Sequence, residues 1–401
     1  MRIQHKPSPL HRGFSLIELI LAMGISMVLL AALSSIFAQS ISSREKIDRE
    51  GQKIETARYS LDTLAEDIRL AGYYGTLAPG LPGVTLVNGA TPGDYVYVDP
   101  CSTASGALPG WDSSGVSAIT VPLPIFGYEA HGTGSPPAGL TGCLDNYRAD
   151  TDVFVIRRAS TTAVTVGGAG YVSGDPYLQV STCPDGAVDA LPPQPPAFVA
   201  RATTTSTEFN MHLLGCTPTV AGPVASVRKL ITRIYFISQC DDCVNNLDND
   251  ASTPGDGVPS LKVVELGIPS TGGTVLKMKE NARTIAAGVD NMHVEYGIDT
   301  TDDGSIDAWV VSNDDPRQTG STGDAVTGMR LDASGENRWE DVMAIKLFLI
   351  TRDPQATTGH IDTKSFVMGS KTVPAAGDAY RRRLMSSTIK LVNMAGRREA
   401  P

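Results

Sequence analysis

The stretch at residues 13–37, GFSLIELILAMGISMVLLAALSSIF, constrains this chain more than any other part of its sequence. It follows a short basic leader and forms an apolar run of about 24 residues. About 20 apolar residues are enough for a helix to cross the hydrocarbon core of a bilayer. Glu18 is the only charged residue in the run, and a carboxylate inside a membrane span costs roughly 2.5 kcal/mol or more. The sequence therefore predicts a membrane-spanning helix in which Glu18 has a functional role.

Residues 13–19, Gly-Phe-Ser-Leu-Ile-Glu-Leu, resemble the prepilin peptidase signal of type IV pilins and type II secretion pseudopilins. The resemblance implies cleavage after Gly13, N-methylation of the new N-terminal Phe14, and a Glu18 carboxylate that neutralises the Phe14 amine of a neighbouring subunit. Two charges that are each costly in lipid become tolerable as a pair. A secretory signal peptide is an alternative, but its apolar core has only about 7–15 residues. A plain membrane anchor fits the length and leaves Glu18 unexplained.

The composition indicates an acidic, loop-rich β protein beyond the apolar run. The net charge of −10 makes the surface poorly suited to nucleic acid, so we expect no nucleic-acid partner. The 40 glycines and 26 prolines favour turns and short strands over a helical domain.

The cysteines are expected to form disulfides, because the chain after the membrane anchor would be exported. The sequence does not choose among the pairings. Cys240 and Cys243 form the one local pair, and a structural disulfide is favoured there. A redox site would need a thioredoxin-like βαβ pattern and a zinc ribbon a second CxxC, and the sequence shows neither. The disulfide candidates are Cys101, Cys143, Cys183, Cys216, Cys240 and Cys243.

The helical pattern continues past the apolar run, as a stripe that would seat the helix on another surface of the same chain. The stripe comprises Ile47, Ile54, Ala57, Leu61, Leu64, Ile68 and Ala71. Charged residues, Asp67 among them, are expected on the other faces, and Gly72 is the predicted stop. We therefore divide the chain into a leader at residues 1–13, a long helix at 14–72 with a transmembrane part at 14–37, and a globular β-rich head at 73–401.

Short strands without intervening helices predict an antiparallel sheet. The expected strands are residues 95–98, 152–158, 227–238, 261–266, 274–278, 289–296, 308–312, 342–351 and 383–392, with one or two weaker strands within 161–180. Apart from 95–98, residues 76–149 are expected to be irregular, since glycine and proline recur throughout them. The predicted fold class is α+β, with a pilin-like long N-terminal helix, membrane-spanning in its first half, packed on an antiparallel β-sheet head with long loops.

The head resembles the PilW-type minor pilins. The similar segments are ARY and LDTLAEDIRLAGY within residues 57–73, VDNMHVEYGID at 289–299, WEDVMAIKL at 339–347, and RRR and IKLVN within 381–393. The resemblance implies a low-abundance subunit that primes type IV pilus assembly at or near the fibre tip, and a GspJ-type pseudopilin of type II secretion is the alternative.

The same resemblance implies the partners and the location of the chain. The expected partners are prepilin peptidase, other minor pilins, the major pilin, a tip adhesin, and inner-membrane lipid before assembly. Before assembly the chain would cross the inner membrane once with its head in the periplasm. After assembly it would lie in the pilus at the cell surface.

Two acidic loops make calcium the one cofactor that the sequence suggests. In an EF-hand-type register with Gly304 at the sixth place, oxygen ligands fall at the first, third, fifth, seventh and ninth places, but Val310 replaces the usual glutamate at the twelfth. These ligands would be Asp299, Thr301, Asp303, Ser305 and Asp307. A weaker candidate is the alternation of Asn246, Asp248 and Asp250. The alternatives are an Asp/Gly-rich hairpin turn and a solvated loop.

The sequence predicts no enzyme. The histidines are scattered, no HExxH or GxSxG motif occurs, and His293 is expected to be a packed or exposed histidine of a sheet. The three arginines at residues 381–383 are expected to guard an edge strand or to contact another subunit. A membrane-anchored, calcium-binding adhesive domain that is never built into a filament is the alternative from another functional class.

Overall fold

The computed structural model describes residues 15–77, 91–103, 106–111, 118–129, 135–137, 139–181, 198–213, 223–243, 255–269, 276–278, 282–301, 303–312 and 338–394. Within them it shows one long apolar N-terminal helix followed by mostly antiparallel β-sheets. The predicted α+β class is confirmed. The chain divides into two compact units between Gln52 and Lys53. This division lies inside the helix, and the last turns of the helix belong to the second unit.

Helix α1 spans Leu16–Arg69. In the first unit its apolar side chains are exposed from Leu16 to Ile41. In the second unit the predicted stripe is buried from Ala57 onward, but Ile54 is exposed, so the prediction is wrong for this residue. Ile47 belongs to the first unit and is 71% exposed there. The buried stripe is Ala57, Leu61, Leu64, Ile68 and Ala71.

Gly72 follows the helix and directs the chain back into the head. Its φ of +75° lies in the left-handed region, where glycine meets no penalty from a side chain. Its backbone N–H donates a hydrogen bond to the carbonyl oxygen of Arg157 at 3.0 Å. The helical turns thus end at the predicted glycine, and this glycine is hydrogen-bonded to the sheet on which the helix packs.

The larger sheet contains eight strands, with the order β10-β9-β8-β6-β7-β2 and with β5 pairing both β4 and β8. All these pairings are antiparallel. The long strand β8 is the centre of the sheet, since it pairs with β5, β6 and β9. The strands are β2 (Gly106–Ala107), β4 (Ile125–Tyr128), β5 (Val153–Val164), β6 (Pro176–Val180), β7 (Phe198–Ala202), β8 (Val227–Ser238), β9 (Ser260–Glu265) and β10 (Arg283–Ala287).

The smaller main sheet contains four antiparallel strands in the order β12-β11-β13-β16. Its strands are β11 (Val289–Ile298), β12 (Ala308–Val311), β13 (Val342–Arg352) and β16 (Arg382–Lys390). A hairpin, β14 (Phe366–Met368) with β15 (Lys371–Val373), and a parallel pair, β1 (Thr91–Val96) with β3 (Ala118–Pro122), complete the strands of the described residues. Short 3-10 helices occur at Ser206–Glu208 and Arg338–Asp341.

One apolar core joins the end of α1 to both main sheets. It includes Leu64 and Ile68 of the helix, Phe154 and Ile234 of the larger sheet, and Leu347 of the smaller sheet. The opposite face of the smaller sheet carries a second cluster, in which Phe348 and Ile350 of β13 pack with Phe366 and Met368 of the β14–β15 hairpin. The hairpin therefore covers part of the face of the smaller sheet that does not face the main core.

The strand predictions hold best where apolar residues are continuous. Strand β8 has the predicted bounds, and β5, β9, β11, β12, β13 and β16 differ from prediction by a few residues or by an extension. Residues 76–149 were expected to hold one strand, but β1, β2, β3 and β4 lie there. These strands are short and bounded by glycine or proline, so their alternation is too brief to read. The expected strand at 274–278 is only partly described, and Lys277 forms an isolated bridge with Gly267.

A buried carboxylate on α1 fixes the helix to the larger sheet. Asp67 is 4% exposed, which contradicts the prediction that it lies on an exposed face. Its Oδ1 lies 2.7 Å from Nε of Arg158 and 3.1 Å from Nη1 of Arg233, and the hydroxyl of Tyr235 donates to its Oδ2 at 2.5 Å. One helical side chain therefore contacts β5 and β8 at once.

The surroundings of Asp67 favour its ionised form. Burial opposes ionisation, but the guanidinium groups of Arg233 and Arg158 and the hydroxyl of Tyr235 together outweigh burial and lower the pKa of Asp67 below its ordinary value of 3.8. Burial and the adjacent Asp67 carboxylate raise the pKa of Tyr235, so the phenol stays protonated and remains the donor.

We expect Asp67→Ala to destabilise the head by about 3–5 kcal/mol, because it leaves two arginines without their buried partner. The matched control is Asp62→Ala. Asp62 is exposed on the same helix and 3.7 Å from Arg58, and its loss should change the stability by less than about 1 kcal/mol. Urea unfolding of the detergent-solubilised chain, followed by tryptophan fluorescence, measures both. Equal effects of the two variants would contradict the anchoring role of Asp67.

The lowered pKa of Asp67 also predicts a pH dependence. Ionised Asp67 stabilises the fold fully at pH values above its ordinary pKa of 3.8, and this contribution disappears as the pH falls through the lower folded pKa. The stability difference between the wild type and Asp67→Asn should therefore be largest near neutral pH and shrink below pH 3.8. Urea unfolding of both proteins across this range measures it, and a constant difference would contradict the prediction.

Candidate functional site

The apolar first part of α1 is the part of the chain that needs a partner. Within the described residues it is the one helix long and apolar enough to cross a membrane. A continuous exposed apolar surface is unfavourable in water, so lipid or other apolar helices must cover it. Its largest exposed side chains include Leu16, Ile17, Leu19, Ile20, Leu21, Met23, Ile25, Met27, Val28, Leu29, Leu30, Leu33, Ile36 and Phe37.

Glu18 lies in the first turn of this helix. Its Oε2 accepts a hydrogen bond from the backbone N–H of Ser15 at 3.0 Å. This is the glutamate half of a capping box, in which a side chain three residues into the helix satisfies an unpaired backbone donor. A carboxylate there is also favoured by the positive end of the helix dipole. Gly13 and Phe14, the predicted cleavage residues, lie outside the described residues.

The spacing Ser15-Leu16-Ile17-Glu18 is the capping-box signature, and it was available in the sequence. This local role is additional to the pairing between subunits that the resemblance implies for Glu18. The two roles use the same carboxylate at the same end of the helix.

The loop between β11 and β12 contains the first predicted calcium ligands. Asp299 accepts hydrogen bonds from the backbone N–H groups of Thr301 at 3.2 Å and Gly304 at 2.9 Å. Asp307 accepts from the backbone and hydroxyl groups of Thr300 and Thr301. The backbone and hydroxyl hydrogen bonds from Thr300 are the largest contributions that lower the pKa of Asp307.

These contacts make the loop a turn stabilised by its own carboxylates. Asp303 takes part as well, because its Oδ1 accepts the backbone N–H of Ser305 at 2.8 Å. Among the described residues, no group of three or more His, Cys, Asp or Glu side chains is placed to hold a metal ion. Calcium binding by this loop stays a prediction. Asn246, Asp248 and Asp250 lie outside the described residues.

Among the described residues, two disulfides cross-link the loops of the head. Cys240 and Cys243 are joined, as predicted for the local pair, and Cys101 is joined to Cys143. The second bond links segments 42 residues apart, so it restricts the unfolded chain more than the local one does. Cys183 and Cys216 lie outside the described residues.

The arginines at residues 381–383 do not act together. The side chain of Arg382 is 5% exposed, and it bonds Asp290 at 2.6 Å, Asp362 at 2.9 Å and Asp378 at 2.6 Å. The prediction of an edge guard is therefore wrong for Arg382, which instead ties the loop before β16 to β11. Arg381 and Arg383 are exposed. Asp290 and Asp362 are 92 and 20 residues from Arg382 in the sequence, so the sequence spacing carried no signal for these two contacts.

His293 is a packed histidine of β11, as one of the two predicted alternatives states. It is 1% exposed, and its Nδ1 lies 2.8 Å from Oδ2 of Asp152.

Two parts of the chain, the N-terminal helix and the C-terminal part of the head, match known protein families. Residues 9–34 match the prokaryotic N-terminal methylation motif, which covers the exposed apolar helix and Glu18. Residues 234–393 match the family of Type IV Pilus-assembly protein W, and they run from the end of β8 through the four-stranded sheet. No curated protein and no solved structure matches the chain. Residues 234–393 are therefore similar to PilW-type pilus-assembly proteins, and residues 9–34 are similar to the N-terminal methylation motif of prepilins.

Proposed function

We propose that this chain is a minor pilin that primes type IV pilus assembly at or near the fibre tip, after prepilin peptidase cleaves between Gly13 and Phe14. The observation that carries the proposal is one helix that bears the methylation motif and exposes its apolar side chains, in a chain whose residues 234–393 match the pilus-assembly family. Before assembly the helix is held by inner-membrane lipid and the head lies in the periplasm. In the fibre the same apolar surface packs against the helices of other pilins.

In the proposed mechanism, Glu18 sets the axial position of each helix relative to its neighbour in the fibre. Cleavage gives Phe14 a free amine, which is costly to bury alone in an apolar fibre core. The Glu18 carboxylate of a neighbouring subunit neutralises this amine, and the pair forms only where the two helices are in the correct axial position. The head then presents the surfaces that other minor pilins, the major pilin or a tip adhesin contact.

Two alternatives remain in the proposal. A GspJ-like pseudopilin of type II secretion would share the helix and its processing, but it would act in secretion. A membrane-anchored, calcium-binding adhesive domain would keep the helix in the membrane and never enter a filament. The match to the pilus-assembly family supports the pilus protein over both.

We expect Glu18→Ala to leave leader removal and the fold of the head unchanged but to reduce incorporation into pili at least about tenfold. An unpaired buried charge costs several kcal/mol, and about 1.4 kcal/mol already corresponds to a factor of ten. Glu45→Ala is the control, because Glu45 lies on the polar part of the same helix and pairs with Arg49 within one helical turn. Quantitative immunoblots of sheared fibres measure both. Normal incorporation of Glu18→Ala would overturn the proposed role.

Mass spectrometry of surface fibres sheared from the native cell tests the whole proposal. We expect a peptide that begins at Phe14 and carries one added methyl group on its amine. If the protein stays in the membrane fraction with its leader intact, the pilin assignment fails and the anchored domain takes its place. If processed protein occurs only in the inner membrane and its deletion abolishes secretion but not piliation, the secretion pseudopilin replaces the pilus protein.

A further inference from the structure

A serine, a histidine and an aspartate from three separate segments meet beside the four-stranded sheet. His293 lies on β11, Ser370 lies in the turn between β14 and β15, and Asp152 immediately precedes β5. Nδ1 of His293 is 2.8 Å from Oδ2 of Asp152, and Nε2 of His293 is 3.3 Å from Oγ of Ser370. Both distances allow hydrogen bonds, and the longer one is typical of a nucleophile and base without substrate.

Burial and hydrogen bonding determine which ring nitrogen of His293 carries the proton. Asp152 is 2% exposed, whereas Ser370 is exposed. Oδ2 of Asp152 also accepts the backbone N–H of Val294 at 2.9 Å, and an ionised carboxylate can only accept. Nδ1 of His293 must then donate to Asp152, which leaves the lone pair of Nε2 facing the hydroxyl of Ser370.

The elements around the imidazole hold it in this orientation. Phe348 of β13 stacks on the ring of His293, with 6.0 Å between the centroids. The ammonium of Lys371 lies 3.7 Å from Oδ1 of Asp152 and compensates part of its charge. The Lys371 ammonium also donates to the carbonyl oxygen of Asp150 at 2.6 Å, so it is fixed on the aspartate side of the ring.

A second carboxylate holds the backbone of the serine. Glu295 lies two residues after His293 on the same strand, and its Oε1 accepts the backbone N–H of Ser370 at 2.7 Å. Its other oxygen is 3.7 Å from the ammonium of Lys346. The preceding Gly369 has a φ of +60°, and a Cβ there would lie 2.1 Å from Oε1 of Glu295. A side chain at position 369 would therefore displace the carboxylate that holds Ser370, and the positive φ also favours glycine there.

We propose that Ser370 is a nucleophilic serine that accepts an acyl group from activated esters. Oγ of Ser370 attacks the ester carbonyl carbon while its proton passes to Nε2 of His293. The carbon–oxygen bond to the leaving group then breaks, and the protonated imidazole returns the proton to that oxygen. The products are an acyl-Ser370 ester and an alcohol, with no other reactant. Asp152 is a positioning residue, which acts through His293.

The arrangement favours a single acylation over repeated turnover. The backbone N–H of Ser370 is bonded to Glu295, so it does not point toward an oxyanion. Loss of one oxyanion donor typically costs about 100- to 1000-fold in rate. The triad is not needed to hold the β14–β15 hairpin on the sheet, because Phe366 and Met368 of the hairpin already pack on the apolar side of β13.

The test is reaction of the full, detergent-solubilised chain with p-nitrophenyl acetate. Release of p-nitrophenolate gives the rate, and peptide mass spectrometry locates the acetyl groups. Ser386, an exposed serine on β16, is the internal control. We expect Ser370 to be acetylated about 100-fold faster than Ser386, since a positioned general base contributes at least that factor. Ser370→Ala should abolish this fast phase, and Ser386→Ala should leave it unchanged.

The base and its orientation are tested separately. His293→Gln should reduce the acylation rate about 100-fold and Asp152→Asn about tenfold or more, with thermal melting checked for each variant. If either variant fails to fold, the wild-type pH profile decides. The rate should fall in acid, because general-base catalysis needs an unprotonated base. The charged side chains around His293 are Asp152, Glu295, Lys346 and Lys371. Equal labelling of Ser370 and Ser386, or a wild-type rate without this pH dependence, would overturn the proposal.

Discussion

The head of this protein depends on one buried ion cluster. Asp67 is the only carboxylate of α1 that the described residues place between the helix and the larger sheet, and it contacts β5 and β8 together. Apolar contacts of Leu64 and Ile68 supply burial, but such contacts tolerate small shifts of a helix along or around its axis. Charged hydrogen bonds have strict geometry, and breaking them leaves charges in an apolar site. The ion cluster therefore sets the axial and rotational position of the helix, whereas burial of the apolar stripe holds the helix against the sheet. Lys53, 3.2 Å from Asp353 at the start of the same unit, adds a second fixed point.

The two parts of α1 differ in which side chains they expose and which they bury. The first part carries apolar side chains that nothing in the described chain covers, and the second part carries mostly polar side chains but docks through a narrow stripe and two buried ion pairs. This division follows from what each part must contact. In the proposed function, a surface that moves from lipid to a fibre core has to be apolar in both environments. A surface that belongs permanently to one fold can include buried charges, because their partners are always present.

The sequence was informative wherever one periodicity extended over many residues. The apolar run, the helical stripe from Ala57 and the long strands β5, β8, β11 and β13 could all be predicted, because each is set by local spacing. The strands between residues 76 and 149 could not, since their pattern covers only a few residues between glycines and prolines. Contacts between charged residues that are far apart in the sequence could not be predicted either. Asp67, Arg382 and the Asp152–His293–Ser370 triad each combine residues that are tens to hundreds of positions apart, and a single sequence carries no signal for such meetings. Glu18 is different, because the capping-box spacing from Ser15 to Glu18 is visible in the sequence and predicts the cap.

The capping bond of Glu18 is compatible with the proposed pairing between subunits. A single exposed capping hydrogen bond contributes about 0.5–2 kcal/mol to a helix. An unpaired ammonium or carboxylate in an apolar environment costs roughly 2.5 kcal/mol or more, and each subunit buries one of each. Exchange of the Ser15 contact for the amine of a neighbouring chain is therefore favourable once the helices leave water or lipid headgroups. Until then the cap keeps the carboxylate ordered at the end of the helix. In the proposed fibre, the local bond thus prepares the geometry that the intermolecular pair requires, and the difference between the two energies favours the intermolecular pair over the cap.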